Sequence, residues 1–374
     1  MIIGVDIREW QPGIRTGIGR FLEEFLGTAA VLRPQDHFLL IGDSSCEIRV
    51  HVDNVRTIRI PEWWTPWWDQ VALARALARS GADVFYSPFI KVPLLTRIPV
   101  VSTIHDLTFF IRRNYNRYWT DHLLNPPFRL FCYAAVRRAA AIIVDSAASA
   151  RDVERLLSAD SKKLHVVSLA TSSAFRPCGE PAADADVWTR YGLAQGYVLY
   201  VGSFWPHKNV PQIVRAHAAL PQELRRNHPL VLAGGSPSDT LDHLLQEPSV
   251  ALAARYVGVV PDSDLPALYR GAALFVFPSH YEGFGLPVLE AMASGVPVLC
   301  SSTPALVELV SDAADQVDAE NGPEWERALR ALLEDPIRRA ALSARGLARS
   351  ALFSPERMTQ GILTILDEIV ERRW

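Results

Sequence analysis

Short apolar runs alternate with longer amphipathic stretches along nearly all of this 374-residue chain, and no other feature limits its fold as strongly. Runs of four to six apolar residues read as strands buried on both faces, and the stretches between them carry the 3.6-residue period of helices. Strand and helix in strict alternation lead to parallel sheets covered by helices, an α/β architecture. In the first half, strands are predicted at Ile2–Ile7, His37–Ile41, Thr57–Ile60, Val84–Tyr86, Val100–Ile104 and Ala141–Val144, with helices at Gly19–Ala30, Trp68–Arg79 and Phe128–Ala140. In the second half, strands are predicted at Tyr197–Val201, Leu230–Ala233, Ala254–Val257, Leu274–Phe277, Val296–Cys300 and Asp315–Val317. The length exceeds one ordinary core. A stretch rich in Ser, Pro, Gly, Ala and Asp, Thr171–Asp186, reads as the linker. Two domains are therefore expected, at 1–172 and 173–352, followed by a closing segment at 353–374.

A hydrophobic fraction of 49% and a charged fraction of 21% fit a soluble globular protein. The net charge of −3 gives no global attraction to nucleic acid. No apolar run is long enough to span a bilayer. The opening Met-Ile-Ile-Gly-Val-Asp lacks a basic n-region and reads as a strand, not a signal peptide. Cys46, Cys132, Cys178 and Cys300 show neither metal-ligand spacing nor a disulfide pattern, so a reducing, cytoplasmic setting is expected.

The densest chemistry lies in 277–292, Phe-Pro-Ser-His-Tyr-Glu-Gly-Phe-Gly-Leu-Pro-Val-Leu-Glu-Ala-Met. A buried strand leads into a loop with two glycines, and then into a helix at Leu286–Ala293 with Pro287 in its first turn and Gly295 as its stop. A glycine turn before a helix N-terminus suits an anion, because backbone N–H groups and the positive dipole end face it. Glu282 lies in the loop and Glu290 about one turn into the helix, so both can reach one bound molecule. That combination fits a sugar nucleotide, with the amides of Gly283, Phe284, Gly285 and Leu286 for phosphates and the carboxylates for hydroxyls. A plain capped core helix fits the same residues.

Glu282 and Glu290, separated by seven residues within Glu-Gly-Phe-Gly-Leu-Pro-Val-Leu-Glu, resemble the E-x7-E motif of the retaining family 4 glycosyltransferases. The resemblance is strong over about 196–310 and looser before it. It implies the GT-B fold: two Rossmann-like domains facing across a cleft, with a helix at Pro355–Arg373 crossing back onto the first. The segment Gly202-Ser203-Phe204-Trp205-Pro206-His207-Lys208-Asn209 is similar to the family's diphosphate-holding turn. Lys208 is implied as the diphosphate ligand, while Ser203 and His207 stand where other members carry a second cation. Independently of the family, a lysine at a strand's carboxyl end adds a compact positive charge to a helix start.

His105-Asp106 ends the strand Val100–Ile104. The pair fits a core histidine oriented by its neighbour, and its position also matches the family histidine beside the donor sugar. The loop Gly13-Ile14-Arg15-Thr16-Gly17-Ile18-Gly19-Arg20 resembles the family's glycine-rich loop, where Gly17 lets backbone approach the donor; Arg20 is expected on the following helix, solvated. Gly258-Val259-Val260-Pro261-Asp262-Ser263-Asp264, with Val259 in it, resembles the family segment whose backbone flanks the nucleotide base. Asp262 and Ser263 read as the N-cap of a helix at Leu265–Arg270. No metal site is expected, since the Asp-x-Asp pairs 262–264 and 184–186 read as capping and linker. Trp63, Trp64, Trp67 and Trp68 fit either sugar stacking or a covered core edge. The basic and aromatic stretch 112–138 fits either a solvated helix or peripheral contact with the inner face of the cell membrane.

The resemblance implies transfer of a hexose from a nucleotide diphosphate sugar to a glycan or lipid-linked acceptor with retention, with no metal. Lys208, Glu282 and His105 would serve the chemistry, Glu290 the ribose, and the leaving phosphate would act as base. The wording around Gly17 and Glu282 resembles bacterial O-antigen and exopolysaccharide mannosyltransferases, which implies GDP-mannose as first choice of donor and a UDP-sugar as second. A GT-B nucleotide-sugar epimerase and a non-catalytic sugar-nucleotide-binding module are the competing expectations.

Overall fold

The computed structural model describes residues 1–13, 16–111, 119–235, 239–247, 250 and 254–372. The chain divides into two units: the described residues of 1–170 together with those from Ser354 onward, and Thr171–Phe353. Among the described residues, the first unit holds seven strands: β1 Ile2–Asp6, β2 His37–Gly42, β3 Val55–Arg59, β4 Val84–Ser87, β5 Val100–Ile104, β6 Ala141–Val144 and β7 Leu164–Val166. They form one sheet in the order β3-β2-β1-β4-β5-β6-β7. The second unit holds β8 Tyr197–Val201, β9 Leu230–Ala233, β10 Ala254–Gly258, β11 Ala272–Phe277, β12 Val298–Ser301 and β13 Asp315–Val317. Their order is β10-β9-β8-β11-β12-β13.

Every pairing in both sheets is parallel. Central strands such as β6 and β9 are buried at each residue, which is why they appear in the sequence as unbroken apolar runs, while β5, equally buried, carries Ser102 and Thr103 within it. In each sheet the strand order reverses beside its first strand, at β1/β4 and at β8/β11. Doubly wound sheets bind ligands at the carboxyl ends of their strands next to this reversal.

The helix Pro355–Glu371 belongs to the first unit. Its Ile362, Leu363 and Leu366 are fully buried in the same cluster as Ile3, Val5 and Phe25, and Arg33 grips Asp367 at 2.7 Å. It therefore covers one face of the first sheet.

Several boundaries differ from expectation. The segment beginning at Thr171 is only partly a connector: Pro181–Arg190 is a helix, and Arg270 clasps the buried Asp184 carboxylate with two hydrogen bonds of 2.6 and 2.7 Å. The helix expected from Phe128 runs Trp119–Arg138, with Pro126 and Pro127 inside it; prolines usually mark an end. The tryptophan helix starts at Thr65 and passes through a π-helical turn, Trp68–Ala72, before Leu73–Ser80. The short β7 has no apolar run to announce it.

Candidate active site

The second sheet brings Lys208 and Glu282 together. Lys208 follows β8 in a 3₁₀ turn, Pro206–Lys208, and Glu282 follows β11, the strand paired with β8 at the reversal. The lysine Nζ donates to Glu282 Oε1 at 2.7 Å. The ammonium also lies 5.3 Å from the centroid of the Phe277 ring, and Phe277 stacks on Tyr200 at 6.0 Å. Tyr200 is fully buried and donates to the carbonyl of Ser203 at 2.6 Å. Burial, with the Glu282 charge adding to it, pushes the Tyr200 phenol far up, so it stays a donor. The peptide of His207, itself buried, accepts from His280 N at 2.8 Å, which pins the glutamate loop to the lysine turn.

The expected helix Leu286–Ala293 is present, with Pro287 in its first turn. Its N-cap is Gly285, at φ +110°, so no side chain caps its first amides. A Cβ at Gly285 would collide with Leu306. Phe284 turns its ring onto Phe353, at 5.8 Å, and offers the loop only its backbone. Glu290 is buried within the helix, and its Oε2 accepts a 2.8 Å hydrogen bond from the hydroxyl of Tyr269.

Three adjacent strands end in glycines with left-handed φ: Gly202 (+154°), Gly234 (+151°) and Gly258 (+79°). Gly202 N donates to Ala233 O at 3.0 Å and Gly234 N to Gly258 O at 2.9 Å. A Cβ at Gly234 would strike the Gly202 carbonyl. Beyond the third glycine, Val259 is largely exposed. The expected cap at Asp262–Ser263 is not what starts the next helix, Leu265–Gly271. Asp264 is the N-cap residue, and no side chain bonds the first amides. The Asp264 carboxylate instead takes Arg190 at 2.6 Å and the Tyr191 hydroxyl at 3.0 Å.

In the first unit, Gly17 opens the helix Gly17–Leu32, capped by Thr16, whose hydroxyl accepts from Gly19 N at 2.9 Å. A Cβ at Gly19 would crowd Thr16 and Glu9, whereas one at Gly17 meets nothing. Packing therefore accounts for Gly19 and leaves Gly17 to another cause. Arg20 is half-buried rather than solvated, and Arg15 lies outside the described residues.

His105 follows β5 with both ring nitrogens engaged, Nδ1 by Asp145 Oδ2 at 2.9 Å and Nε2 by the Pro88 carbonyl at 3.1 Å. A carbonyl only accepts, so Nε2 carries a proton. Burial opposes charge on the imidazole, yet the Asp145 carboxylate, Asp106 and the Pro88 carbonyl together raise its pKa above the ordinary value. The partner that orients this histidine is Asp145, not the adjacent Asp106. Of the stretch 112–138, residues 112–118 lie outside the described residues. Arg138 turns inward to the carbonyls of Thr96 and Ile98, and Arg129 covers the Phe110 ring at 4.5 Å. Among the described residues no group of three His, Cys, Asp or Glu side chains could hold a metal ion, and no helix is long and apolar enough to cross a membrane.

The sequence reading missed Tyr200, Tyr269 and Gly234. Only Gly234 carried a signal, a glycine pair directly after a predicted strand.

Two doubly wound parallel-sheet units, the second with a lysine and a glutamate joined at its strand-order reversal, define the GT-B class. Among solved structures, sucrose-phosphate synthase from Thermosynechococcus elongatus superposes with a TM-score of 0.80 at 22% identity, covering 99% of each chain. HepE from Anabaena, solved in complex with UDP and glucose, gives 0.76 at 18% identity over 98% of this chain and 100% of that one. The family described as glycosyl transferases group 1 matches residues 193–349, and glycosyltransferase family 4 matches residues 32–172. The O-antigen chain mannosyltransferase B of Escherichia coli is 37% identical over 267 residues, 69% of this chain and 68% of that protein. The serotype-specific mannosyltransferase WbdA of Escherichia coli is 32% identical over 68% of this chain, which spans only 31% of that longer protein. The chain belongs to glycosyltransferase family 4, and it is a transferase.

Proposed function

We propose that this protein transfers a hexose, with mannose from GDP-mannose as first choice, from a nucleotide diphosphate sugar to a glycan or lipid-linked glycan hydroxyl, with retention and without a metal. The observation that carries the reading is the Lys208–Glu282 pair at the β8/β11 reversal, beside a helix whose first amides no side chain caps. In this reading Lys208 and the amides of Gly283–Leu286 receive the leaving diphosphate, whose charge grows as the glycosidic bond breaks. Ser203 and His207 shape the turn that presents the lysine. Glu282, released from Lys208 by the phosphate, holds hydroxyls of the transferred sugar. Glu290 takes the ribose, and the backbone at Val259 flanks the base. In the first unit Gly17 lets its helix terminus approach the donor, and His105 serves through its backbone carbonyl, because its ring is committed to Asp145 and Pro88.

Mannose is favoured by the relative that is 37% identical, a mannosyltransferase. A UDP-sugar is the second choice of donor; HepE, which shares the fold, was solved with UDP and glucose. Incubation with GDP-mannose, UDP-glucose and an oligosaccharide acceptor tests the reading, with products followed by mass spectrometry and anomeric NMR. A glycoside of retained configuration is expected. Conversion of the donor without an acceptor would instead support an epimerase.

A further inference from the structure

Four of the ten tryptophans fall within 63–68, and the structure separates them into two roles. Trp68 is fully buried, with its indole N–H on the Ile60 carbonyl at 2.9 Å, and Trp67 packs against the same core. Trp63 and Trp64 do not follow them inside: they stay 70% and 57% exposed. Their rings lie 6.2 Å apart, and Trp63 rests 5.3 Å from Trp67, so the three make one continuous aromatic ledge. An indole held in water forgoes a large burial free energy, and contiguous exposed apolar surface of this kind marks a contact site.

The position of the ledge says what it contacts. It follows the carboxyl end of β3, the outermost strand of the first sheet. All strands of that sheet run parallel, so the ledge lies along the same edge as the starts of the Gly17 helix and the His105 loop. Four strand spacings separate β3 from β5, about 19 Å at about 4.8 Å each. That distance suits a chain of several linked sugars laid along the edge, with its growing end toward His105.

The charges nearby fit a neutral chain. No lysine or arginine occurs between Arg59 and Arg75. Arg59 is spent on the carbonyls of Ser44 and Cys46, and the Arg8 guanidinium over Trp68 is locked between Asp6 and Asp69. Lys91 is the further cation near this segment, and it lies over the Phe89 ring and acts on the Asp69 carboxylate, so the ledge's own segment offers an anionic lipid surface no cluster of cations. Flat apolar rings suit the C–H faces of pyranoses.

We infer that Trp63, Trp64 and Trp67 form a subsite for the distal residues of a saccharide acceptor. The inference rests on the glycan acceptor proposed above. The test uses the full chain and linear oligosaccharide ladders of mannose, glucose and galactose, with affinity measured by calorimetry and indole fluorescence. For at least one ladder, wild-type affinity should rise about tenfold or more with length, and Trp63→Ala and Trp64→Ala should each remove about tenfold from the long members only. Binding of UDP and GDP should not change, because the substitutions lie outside the donor unit. Absence of any length dependence in the wild type overturns the inference, as does full length dependence in both variants. Loss of vesicle binding or of self-association in the variants, with length dependence intact, also overturns it. If long oligosaccharides bind through the ledge but no donor sugar is transferred to them, the proposed function fails and the subsite stands.

Discussion

Replacing Lys208 by methionine removes one charge from a pair that nothing else in the loop reproduces. The pair is 2.7 Å long, with the lysine and glutamate side chains only 16% and 11% exposed. At an effective dielectric of about 20, that separation corresponds to about 6 kcal/mol of attraction. Desolvating both groups offsets most of it, and a hydrogen bond between charged groups nets about 1.5–3 kcal/mol. Lys208→Met should therefore destabilise the second unit by about that amount, since Glu282 is left largely buried without its cation. It should also weaken UDP or GDP binding about 10- to 100-fold. The double variant Lys208→Met, Glu282→Gln separates the two effects, because neutralising the stranded carboxylate should restore much of the stability and none of the nucleotide affinity. Glu282→Gln alone should bind the bare nucleotide diphosphate at least as tightly as the wild type, because Lys208 no longer has to leave a carboxylate. Thermal unfolding and calorimetry on the four proteins read both quantities. Wild-type nucleotide affinity in Lys208→Met would refute the role of the lysine, and a double variant no more stable than the single one would refute the pairing energetics.

Glu290→Gln should weaken binding of UDP or GDP while leaving binding of the 2′,3′-dideoxy nucleotide unchanged. Tyr269→Phe should do the same by about tenfold, since it removes the hydroxyl that orients Glu290 and keeps the ring against Phe275 and Phe175; calorimetry with the paired nucleotides checks both. His105, whose pKa is raised in the fold, binds a proton there that the unfolded chain releases, so its contribution is complete below about pH 6.5 and is lost as pH rises through the higher folded value. Thermal midpoints of the first unit should therefore fall above about pH 6.5 in the wild type more than in His105→Gln, and parallel curves would remove the ion pair from the argument. Transfer should survive saturating EDTA, measured as initial rate with and without Mg²⁺ or Mn²⁺.

The strands were legible because burial on both faces writes most of them as apolar runs: β6, β8 and β9 were read from sequence with their observed ends, as was β5 despite its Ser102 and Thr103. Where burial is partial the signal fades, as at the three-residue β7. Pro126 and Pro127 hid the first part of a helix, because a proline in sequence reads as an end whether or not tertiary contacts carry the helix through it. Glu282, Glu290 and Lys208 could be found because each lies in a stereotyped strand–turn–helix element. Their contacts could not. Lys208 and Glu282, 74 positions apart, and Tyr269 and Glu290, 21 positions apart, are brought together by the fold, which no local pattern encodes. The same holds for Asp145, 40 residues beyond the histidine it orients.

The helix Pro355–Glu371 gives the ribosome a scheduling problem. The face of the first sheet that receives Ile362, Leu363 and Leu366 is synthesised early, but its cover follows all of Thr171–Phe353. At about 5–20 residues per second, that segment alone adds on the order of 10–40 s before Ile3, Val5 and Phe25 meet their last neighbours. For that interval a nearly complete first unit exposes an apolar strip to chaperones, to proteases and to other nascent chains. A stop codon in front of Pro355 would make the interval permanent, so such truncations should accumulate as aggregates rather than as weakened enzymes.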